Sequence, residues 1–553
     1  MFVITIVTLA GLVFGAVDGN DTGDYLKASA ELMQQWRQLK FGLFVHWGPS
    51  SLLGKEISWS RGGQRRGTKG SGDIPVEVYD NLYRSFYPAL FDADQWVQIA
   101  RSAGMRYLVF TTKHHDGFCM FDSALTDYKI TNSPYGTDIV KKLADACHRG
   151  GIKFGIYYSQ PDWHHPDFKT ENHARYIEYM HSQLRELCSN YGKVDMIFFD
   201  GLGSKSKYWD PSKVFKMIRQ LQPDIVINNR GGLPGDYDTP EQKVGEFQQD
   251  RPWETCMTMA EHWSWRTEDR IKPLSVCIRS LVATVGGDGN FLLNVGPMPA
   301  GQIEPSQVQT LREMGKWLDK YGNSIYGTRG GPFKSGTWGV STHSGRIFYL
   351  HFFNFYGKSF RLPPIPAKIT GWSILTGGQA EIEQLPDGIV VSVPPQYRKE
   401  IDTIVALELD TDAGKIAPVS VSSGSLALNG TALASSVYRD RASNAAEKAF
   451  DDKVSTHWRS NTTGGWLQIK LEKPKKVTTA VIQQGSDYFG AEEYELLYMQ
   501  DEQWKSLVNG TMLYQLNVFN FEAVSAQKFR LIVSRKDRQI MIREFQLFGP
   551  GSE

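Results

Sequence analysis

Residues 194–203 read VDMIFFDGLG. Five of the first six residues are apolar or aromatic, and then Asp200 appears directly before a glycine. Burying the carboxylate that ends such a strand costs desolvation free energy unless its charge is used there. The stretch therefore predicts a strand buried on both faces, with a functional aspartate at its carboxyl end.

Similar apolar segments alternate with amphipathic helices between about residues 36 and 325. The strands are predicted at 41–48, 106–118, 153–159, 194–201, 224–230 and 290–297, and the helices at 92–104, 138–151, 173–192, 211–222 and 304–322. This alternation predicts βα units around a parallel sheet, a (β/α)8-like barrel with one or two degenerate units. A doubly wound open sheet is the alternative, but no Gly-x-Gly-x-x-Gly follows the first strand.

The domain organisation follows from changes in this pattern. The barrel is assigned to residues 25–330 and a small all-β sandwich to 331–411, where short strands are separated by Pro and Gly turns. Residues 412–431 are rich in Ser, Ala and Gly and are predicted to be a linker. Residues 432–553 are predicted to form a second β-sandwich.

The amino terminus carries an apolar run from Phe2 to Val17. Residues 1–17 are predicted to be a signal peptide, cleaved near Gly15 or Ala16. No Lys or Arg precedes the run, so an uncleaved anchor is the alternative. No other stretch is apolar and long enough to span a membrane. The mature protein is expected to be secreted or otherwise exported, to an extracellular, periplasmic or lysosomal location that depends on the source.

Composition excludes some classes of partner. The chain has 61 Lys and Arg against 60 Asp and Glu, a net charge of +1, which gives no electrostatic reason to expect nucleic acid or an anionic membrane. Its five cysteines form no Cys-x-x-Cys pair, and their odd number predicts at least one free thiol.

Polar and aromatic residues cluster where the predicted strands end. Because catalytic groups of a parallel barrel gather at the carboxyl ends of its strands, these residues predict one polar pocket. They are His46, Trp47, His114, His115, Asp116, Tyr157, Tyr158, Asp200 and Arg230.

Three chemistries can be weighed for this pocket. His46, His114 and His115 are candidate metal ligands, but adjacent residues of a strand point to opposite faces, which disfavours a shared ion. Ser-His-Asp acyl transfer lacks its Gly-x-Ser-x-Gly motif. Two carboxylates flanking a glycosidic bond fit better, with Asp200 as nucleophile held ionised by Arg230.

The second carboxyl group has to come from another loop. The segment after Arg230 offers several acidic residues, five of which are taken as candidates, and chemistry alone leaves the choice among these five open. They are Asp236, Asp238, Glu241, Glu246 and Glu254.

Seven segments over about residues 30–330 resemble the α-L-fucosidases of glycoside hydrolase family 29. They are FGLFVHWGPSS, YLVFTTKHHDGF, GIYYSQPDW, MIFFDG, INNRGG, RPWETC and GNFLLNVGPMPAG. The resemblance implies a retaining enzyme that removes terminal α-L-fucose from oligosaccharides or glycoproteins through a covalent fucosyl intermediate on Asp200, with no cofactor for catalysis. An inactive fucose-binding, lectin-like protein and a glycosidase of the same fold acting on another sugar, such as a galactoside, are the alternatives.

The same resemblance assigns roles to the other pocket residues. It implies that His46, His114, His115, Tyr157 and Arg230 hydrogen-bond the fucose, and that Trp47 and Trp59 help to wall the pocket. Phe198 stands where the family often has a tryptophan.

The acid/base residue is chosen from the segment DYDTPEQ, residues 236–242, which resembles the branch of the family that carries a glutamate there. Glu241 is therefore the first choice. Glu254 is the second choice and is otherwise counted among the substrate-binding residues, although it can equally brace Trp253 or Arg251. That branch acts on α-1,3/1,4-linked fucose in branched glycans, which implies the same linkages here.

The last domain resembles discoidin-like, family 32 carbohydrate-binding modules through AFDDKVSTHWRS, GWLQIKL and IREFQLFG. The resemblance implies a structural calcium held by oxygen ligands. The matching residues are Asp451, Asp452, Thr456 and Glu544. A role for these residues in shaping turns alone is the alternative, and the ligand of the module is left open between a galactose-type sugar and none.

Overall fold

The computed structural model describes residues 24–63, 70–201, 209–355, 357–485, 490–514 and 516–550. The predicted signal peptide, residues 1–17, lies outside these ranges. In the described ranges, no helix combines the length and the hydrophobicity that crossing a bilayer requires. The described residues form a parallel α/β barrel followed by two antiparallel β domains, which confirms the predicted fold class.

The barrel domain contains seven parallel strands and eight α-helices among the described residues. The strands are β1 (Phe41–Val45), β2 (Tyr107–Lys113), β3 (Lys153–Ser159), β4 (Met196–Asp200), β5 (Val226–Ile227), β6 (Glu254–Thr258) and β7 (Asn290–Val295). The helices are α1 (Ala30–Leu39), α2 (Val76–Tyr79), α3 (Ala93–Ser102), α4 (Ile139–Gly150), α5 (His173–Asn190), α6 (Pro211–Leu221), α7 (Leu274–Gly286) and α8 (Pro305–Tyr321).

An irregular segment closes the barrel. The strands pair in the order β5-β4-β3-β2-β1-β7-β6, which leaves β5 and β6 as the two edges. Between them run residues 237–241, in which Tyr237 forms a parallel bridge to the chain after β5 and both Asp238 and Glu241 form parallel bridges to the chain around β6. The segment therefore occupies the place of an eighth strand, and its last residue pairs with Cys256 in the middle of β6.

Helix α4 illustrates how the sequence fixes the barrel helices. The side chain of Asp138 accepts a hydrogen bond of 2.8 Å from the backbone N–H of Lys141, which caps the amino end. Gly151, with a φ of 69°, ends the helix in the left-handed conformation. The apolar face between these caps is buried against the barrel, and strand β2 is buried along its whole length.

Several elements differ from the sequence-based expectation. Strand β6 and helices α1, α2 and α7 were not predicted, the strand expected over 106–118 ends at Lys113, and the strand expected over 224–230 is limited to Val226–Ile227. Strand β6 reads ETCMT, which has neither an apolar run nor an apolar–polar alternation of the usual kind. Helix α7 is apolar around most of its circumference because it is buried between the barrel and the next domain, so it lacks the one-sided pattern of a surface helix.

The middle domain packs a five-stranded sheet on a three-stranded one. Its strands are β8 (Arg329–Gly330), β9 (Gly339–Ser344), β10 (Ile347–Phe352), β11 (Ser359–Leu362), β12 (Ile369–Ile374), β13 (Glu381–Leu385), β14 (Gly388–Ser392) and β15 (Thr403–Leu409). The sheet orders are β12-β15-β10-β9-β8 and β11-β14-β13. Apolar side chains from both sheets form one core between them.

The C-terminal domain is a β-sandwich. Its strands are β16 (Thr431–Ala434), β17 (Trp458–Arg459), β18 (Gly464–Gln484), β19 (Glu493–Gln500), β20 (Gln503–Thr511), β21 (Leu516–Ser534) and β22 (Met541–Phe548). Val481 and Phe548 join the core of the middle domain, and Thr337 Oγ1 donates a hydrogen bond of 2.5 Å to Gln546 Oε1 across the boundary. The C-terminal domain is therefore docked onto the middle domain through buried contacts.

Residues 412–431, predicted to be a linker, are packed instead. Ala413 and Ile416 are buried in the core of the middle domain, and Val419 pairs with Phe333. The backbone N–H of Leu426 donates a hydrogen bond of 2.8 Å to the last sandwich. The few apolar residues in this Ser/Ala/Gly-rich stretch anchor it to both neighbours, so it does not behave as a free tether.

Candidate active site

A pocket of about 290 Å³ opens at the carboxyl end of the barrel strands. It brings together most of the residues predicted for the site. The predicted residues that line it are His46, Trp59, His114, His115, Tyr157, Asp200, Arg230 and Glu241. Phe44, Trp163, Phe198, Cys256 and Trp263 complete the wall.

Asp200 ends β4 and is held by three side chains. Arg230 Nη1 donates to its Oδ1 at 2.8 Å, and the Tyr157 hydroxyl donates to its Oδ2 at 2.9 Å. His115 Nε2 lies 3.7 Å from Oδ2. Burial alone raises the pKa of this carboxyl, but Arg230, His115 and these hydrogen bonds outweigh it, so the pKa of Asp200 lies below its ordinary value. Asp200 therefore presents an ionised carboxylate to the pocket at neutral pH.

Glu241 shares the guanidinium that holds Asp200. Arg230 Nη1 also donates to Glu241 Oε2, at 2.9 Å. The two oxygens bound by this nitrogen therefore lie at most about 5.7 Å apart, which is compatible with the roughly 5–5.5 Å between the carboxyl groups of a retaining pair. The side chain of Glu241 is 43% exposed and can reach a leaving group.

The neighbouring acidic residues Asp236 and Asp238 form ion pairs outside the pocket. Asp236 forms a buried ion pair with Arg219 at 2.8 Å. Asp238 pairs with Arg251 at 2.7 Å. Neither lines the pocket, nor does Glu246, so Glu241 is the acidic residue of this segment that faces Asp200.

Glu254 and Trp47 are not brought to the pocket. Glu254 begins β6, at the amino end of the barrel, where it is fully buried and accepts a hydrogen bond of 2.5 Å from the Tyr107 hydroxyl. Burial raises the pKa of Glu254 to about 8. Trp47 is 1% exposed and packs on Phe86 and Trp96 behind the pocket. Glu254 has a structural position because its strand starts rather than ends there. Trp47 has one because its ring is packed against other buried aromatic rings.

Two of the pocket histidines, His46 and His114, are neutral hydrogen-bonding groups. Burial, followed by the neighbouring imidazoles, places the pKa of His114 well below its ordinary value, and burial lowers that of His46 to about 4. Each Nδ1 has a polar partner that fixes the ring. The partners of His46, His114 and His115 are Asn294 Oδ1 at 2.7 Å, Ser58 Oγ at 2.6 Å and Ser159 Oγ at 2.6 Å.

The expectation that His114 and His115 point to opposite faces is wrong. Strand β2 ends at Lys113, and the following residues turn, with the Gly117 N–H donating to the His114 carbonyl at 3.0 Å. Gly117 has a φ of 85°, which favours glycine. The chain has left the pleated conformation before His114, so both rings line the pocket, 4.2 Å apart between centroids.

Trp263 is a pocket residue that the sequence did not reveal. It follows β6, the strand that was not predicted, so its loop was not recognised as part of the rim. Its backbone N–H donates to Glu56 Oε2 at 3.1 Å, and its ring lies 4.8 Å from that of His46. With Trp59, which is 39% exposed, it forms the outer edge of the pocket.

The residues predicted to hold calcium lie near one another in the C-terminal domain, although their carboxylate oxygens do not all come within 4.8 Å of one another. Glu544 Oε1 is buried and has no hydrogen-bond partner among the described residues. Burial, and then Asp452 and Asp451, raise the pKa of Glu544 to about 9. Thr456 Oγ1 donates to Asp451 Oδ1 at 2.7 Å. A buried carboxyl group with an unsatisfied oxygen, near two further carboxylates, fits a hard cation with oxygen ligands.

A second acidic cluster lies in the barrel, where Glu261, His262 and Asp269 have ligand atoms within 4.8 Å of one another. It is the one group of His, Cys, Asp or Glu side chains in the described ranges with this spacing. His262 contacts Asp269 at 3.1 Å, and Glu261 pairs with Arg270, so protein partners already satisfy it.

Residues 20–323 match the family described as Alpha-L-fucosidase, and residues 431–545 match the F5/8 type C domain. The chain belongs to the alpha-L-fucosidase family. It is therefore a glycoside hydrolase, and this family needs no cofactor for catalysis. The C-terminal match agrees with the discoidin-like sandwich inferred from the sequence.

Individual relatives cover different parts of the chain. Plasma alpha-L-fucosidase of Rattus norvegicus is 28% identical over 65% of this chain and 86% of its own. An α-L-fucosidase from Bacteroides thetaiotaomicron, trapped as a covalent intermediate with 2-fluoro-fucosyl fluoride, is 26% identical over 70% of this chain and 97% of its own, with a TM-score of 0.62. The α-L-fucosidase of Vibrio sp. strain EJY3 has the same fold over 95% of this chain and 99% of its own, at 22% identity and a TM-score of 0.65.

Proposed function

We propose that this fucosidase is a retaining exo-enzyme in which Asp200 is the nucleophile and Glu241 the acid/base. The observation that carries the proposal is the single nitrogen of Arg230 that contacts both carboxyl groups, at 2.8 and 2.9 Å. This arrangement holds the two carboxyl groups close together, which supports a covalent double displacement. The covalent intermediate trapped in the Bacteroides thetaiotaomicron relative supports the same route.

In the first step Asp200 attacks the anomeric carbon while the bond to the leaving oxygen breaks. The proton of the Glu241 carboxyl passes to that oxygen, so the alcohol leaves neutral and Glu241 becomes a carboxylate. In the second step Glu241 takes a proton from water, the resulting hydroxide adds to the anomeric carbon, and Asp200 is released as a carboxylate. The product keeps the α-configuration because the carbon is inverted twice.

The pocket suits one terminal deoxy sugar. Its volume of about 290 Å³ is at the lower end of ligand pockets and favours a single ring, which supports exo-action. Neutral His46 and His114 can each donate or accept hydrogen bonds from hydroxyl groups. Phe44 and Phe198 offer an apolar surface for the methyl group that distinguishes a 6-deoxy sugar.

We propose that α-1,3- and α-1,4-linked fucose in branched glycans is preferred. The support is the DYDTPEQ segment, whose Glu241 stands on the chain that closes the barrel, next to the open rim. A linkage-resolved screen on fucosylated oligosaccharides tests this. Equal release of α-1,2- and α-1,6-linked fucose would contradict the preference.

Replacing Asp200 by glycine tests the nucleophile. The variant is expected to lose turnover, and azide is expected to restore it by displacing the leaving group directly, which gives the β-fucosyl azide. Wild-type turnover by this variant would refute the assignment. Binding of a fucosylated trisaccharide without any release of fucose by the wild type would favour the lectin-like alternative, and faster hydrolysis of an aryl galactoside than of an aryl fucoside would favour the other-sugar alternative.

Export and calcium binding are proposed on separate grounds. The apolar run of residues 2–17 and the plasma fucosidase among the relatives support export. Amino-terminal sequencing of the protein recovered outside the producing cells tests it, since cleavage near Ala16 is expected. The calcium ion would stabilise the C-terminal sandwich, and its ligands would be Asp451, Asp452, Thr456 and Glu544.

A further inference from the structure

A second cleft, of about 770 Å³, adjoins the catalytic pocket. Its volume is more than twice the 290 Å³ of the pocket that accommodates the fucose. Trp59, Glu241 and Trp263 line both spaces. The cleft therefore begins at the carboxyl group that has to meet the leaving oxygen.

The far wall of this cleft belongs to the C-terminal domain. The barrel contributes residues that follow the closing segment and β6, among them Gln242, Glu261 and Lys272. The opposite side is formed by three segments of the last sandwich, with Glu492, Met512, Tyr514, Arg535 and Arg538 facing the cleft. The sandwich thus stands within reach of whatever is attached to the fucose.

The domain wall is held rigidly. The backbone N–H groups of Met512 and Leu513 donate at 3.0 Å to the carbonyls of Glu492 and Ala491, which joins two of the three segments. The side chain of Asn517 brackets Tyr514, accepting from its N–H at 2.9 Å and donating to its carbonyl at 2.6 Å. Since the sandwich also shares a buried core with the middle domain, the wall is a fixed part of the enzyme.

Charges along the cleft pair with one another. Arg535 and Arg538 each donate to Asp537, at 2.7 and 2.8 Å. On the barrel side Arg270 pairs with Glu261. These paired side chains can still form hydrogen bonds, but their charges largely cancel along the cleft. Such a surface suits the hydroxyl groups of a neutral sugar better than a sulfated or phosphorylated sugar.

We infer that this cleft binds the leaving-group side of the substrate, a neutral oligosaccharide of at least two sugar units, and that Tyr514 and Arg538 of the C-terminal domain determine specificity for it. The inference rests on the proposed function, because it needs Glu241 to protonate the leaving oxygen. The acid has to lie within hydrogen-bond reach of that oxygen, so the leaving group extends from Glu241 into the cleft. The C-terminal domain then acts as part of the substrate site rather than as a separate sugar-binding module.

The test compares two substrates on the full chain, 4-nitrophenyl α-L-fucoside and a neutral fucosylated tetrasaccharide. Tyr514→Ala and Arg538→Ala are each expected to lower kcat/KM for the tetrasaccharide about tenfold and to change that for the aryl fucoside less than about twofold. Lys536→Ala is the matched control, since Lys536 is an exposed cation on the same turn that does not line the cleft. It is expected to leave both substrates unchanged.

Two further measurements separate a local effect from misfolding. Inhibition by free L-fucose, which fills the catalytic pocket alone, is expected to be the same in all variants, and Arg538→Lys is expected to recover part of the tetrasaccharide rate. Equal losses on both substrates, or no loss on either, would overturn the inference while leaving the proposed function intact. If the wild type itself released no fucose from either substrate, the proposed function would fail instead.

Discussion

Replacing Glu241 by glutamine examines the proposed mechanism most directly. The glutamine keeps an oxygen that can accept from Arg230, so the contact of 2.9 Å can persist and Arg230 stays 2.8 Å from Asp200. The nucleophile is therefore expected to remain ionised while the proton relay is lost. General acid–base catalysis contributes roughly 10²–10⁴-fold, and kcat for a fucosylated oligosaccharide should fall by about that factor.

The assay exploits the different needs of the two steps. With α-fucosyl fluoride, whose leaving group needs little protonation, the first step should persist and the second should stall. The fucosyl enzyme is then expected to accumulate and to appear as a mass increase of one fucosyl group on the peptide that contains Asp200. Because Glu241 is 43% exposed, azide can enter in its place and should release the α-fucosyl azide, the opposite anomer from that formed by Asp200→Gly.

Glu254→Gln is the matched control for this experiment. Glu254 is fully buried, and burial raises its pKa to about 8, so at neutral pH its carboxyl is mostly protonated and glutamine reproduces its charge. The kcat of the Glu254→Gln variant is expected to stay within about twofold of the wild type, since Tyr107, the hydrogen-bond partner of Glu254, lies away from the pocket. A large loss for Glu254→Gln together with an unaffected Glu241→Gln would refute the assignment.

The remaining predictions concern pH and metal dependence. Arg230→Leu removes the main group that opposes the effect of burial on Asp200, so the pKa of Asp200 should rise and the acidic limb of kcat/KM should move to higher pH; an unshifted limb would contradict this. Burial and nearby cations lower the pKa of His457 to about 4 in the folded protein. As the pH falls below about 6.5, this histidine is therefore protonated in the unfolded chain before it is protonated in the folded one, and the free energy of unfolding decreases until about pH 4. His457→Asn should flatten that part of the urea-unfolding profile, and an equally steep profile would refute it. Calcium should raise the thermal midpoint of the wild type and leave that of Glu544→Gln unchanged, and a midpoint insensitive to both calcium and chelator would exclude the cation site.

The predictable part of the fold consists of the strands whose own residues are apolar on both faces. β1, β3, β4 and β7 were located to within a few residues, because burial on both faces leaves a continuous hydrophobic run that no surface element has. The contact between Asp200 and Arg230 was also anticipated, since neighbouring parallel strands end at the same rim. All five cysteines are free, which agrees with the prediction of at least one free thiol.

The acid/base could not be chosen from residue types alone. Glu241 and Glu254 are both glutamates close to the barrel, and only their positions along the closing segment and β6 separate them. The closing segment is paired through isolated bridges and contains Pro240, so it has no strand pattern in the sequence. Since β6 was also unrecognised, it was not evident that Glu254 starts a strand whereas Glu241 lies near the rim.

The packing of residues 412–431 was missed for a related reason. The amino-acid composition describes the segment only as a whole, whereas its packing depends on individual residues such as Ile416 and Val419. Small residues between these anchors let the chain lie close to both sandwiches. Long-range packing of this kind leaves no local periodicity, so the fixed position of the C-terminal domain, and with it the second cleft, is a property of the tertiary structure.

The shared arginine explains how two carboxyl groups can work side by side in a site of limited solvent access. In the proposed mechanism Asp200 is charged and Glu241 carries the proton before the first step, so the guanidinium of Arg230 faces one negative charge. In the fucosyl enzyme Asp200 is an ester and Glu241 has become the carboxylate, so Arg230 again faces one negative charge, now 2.9 Å away on the other partner. Each chemical step moves the charge from one oxygen to the other across a fixed cation. Little reorganisation is needed, which is the condition under which preorganised electrostatics lowers a barrier most.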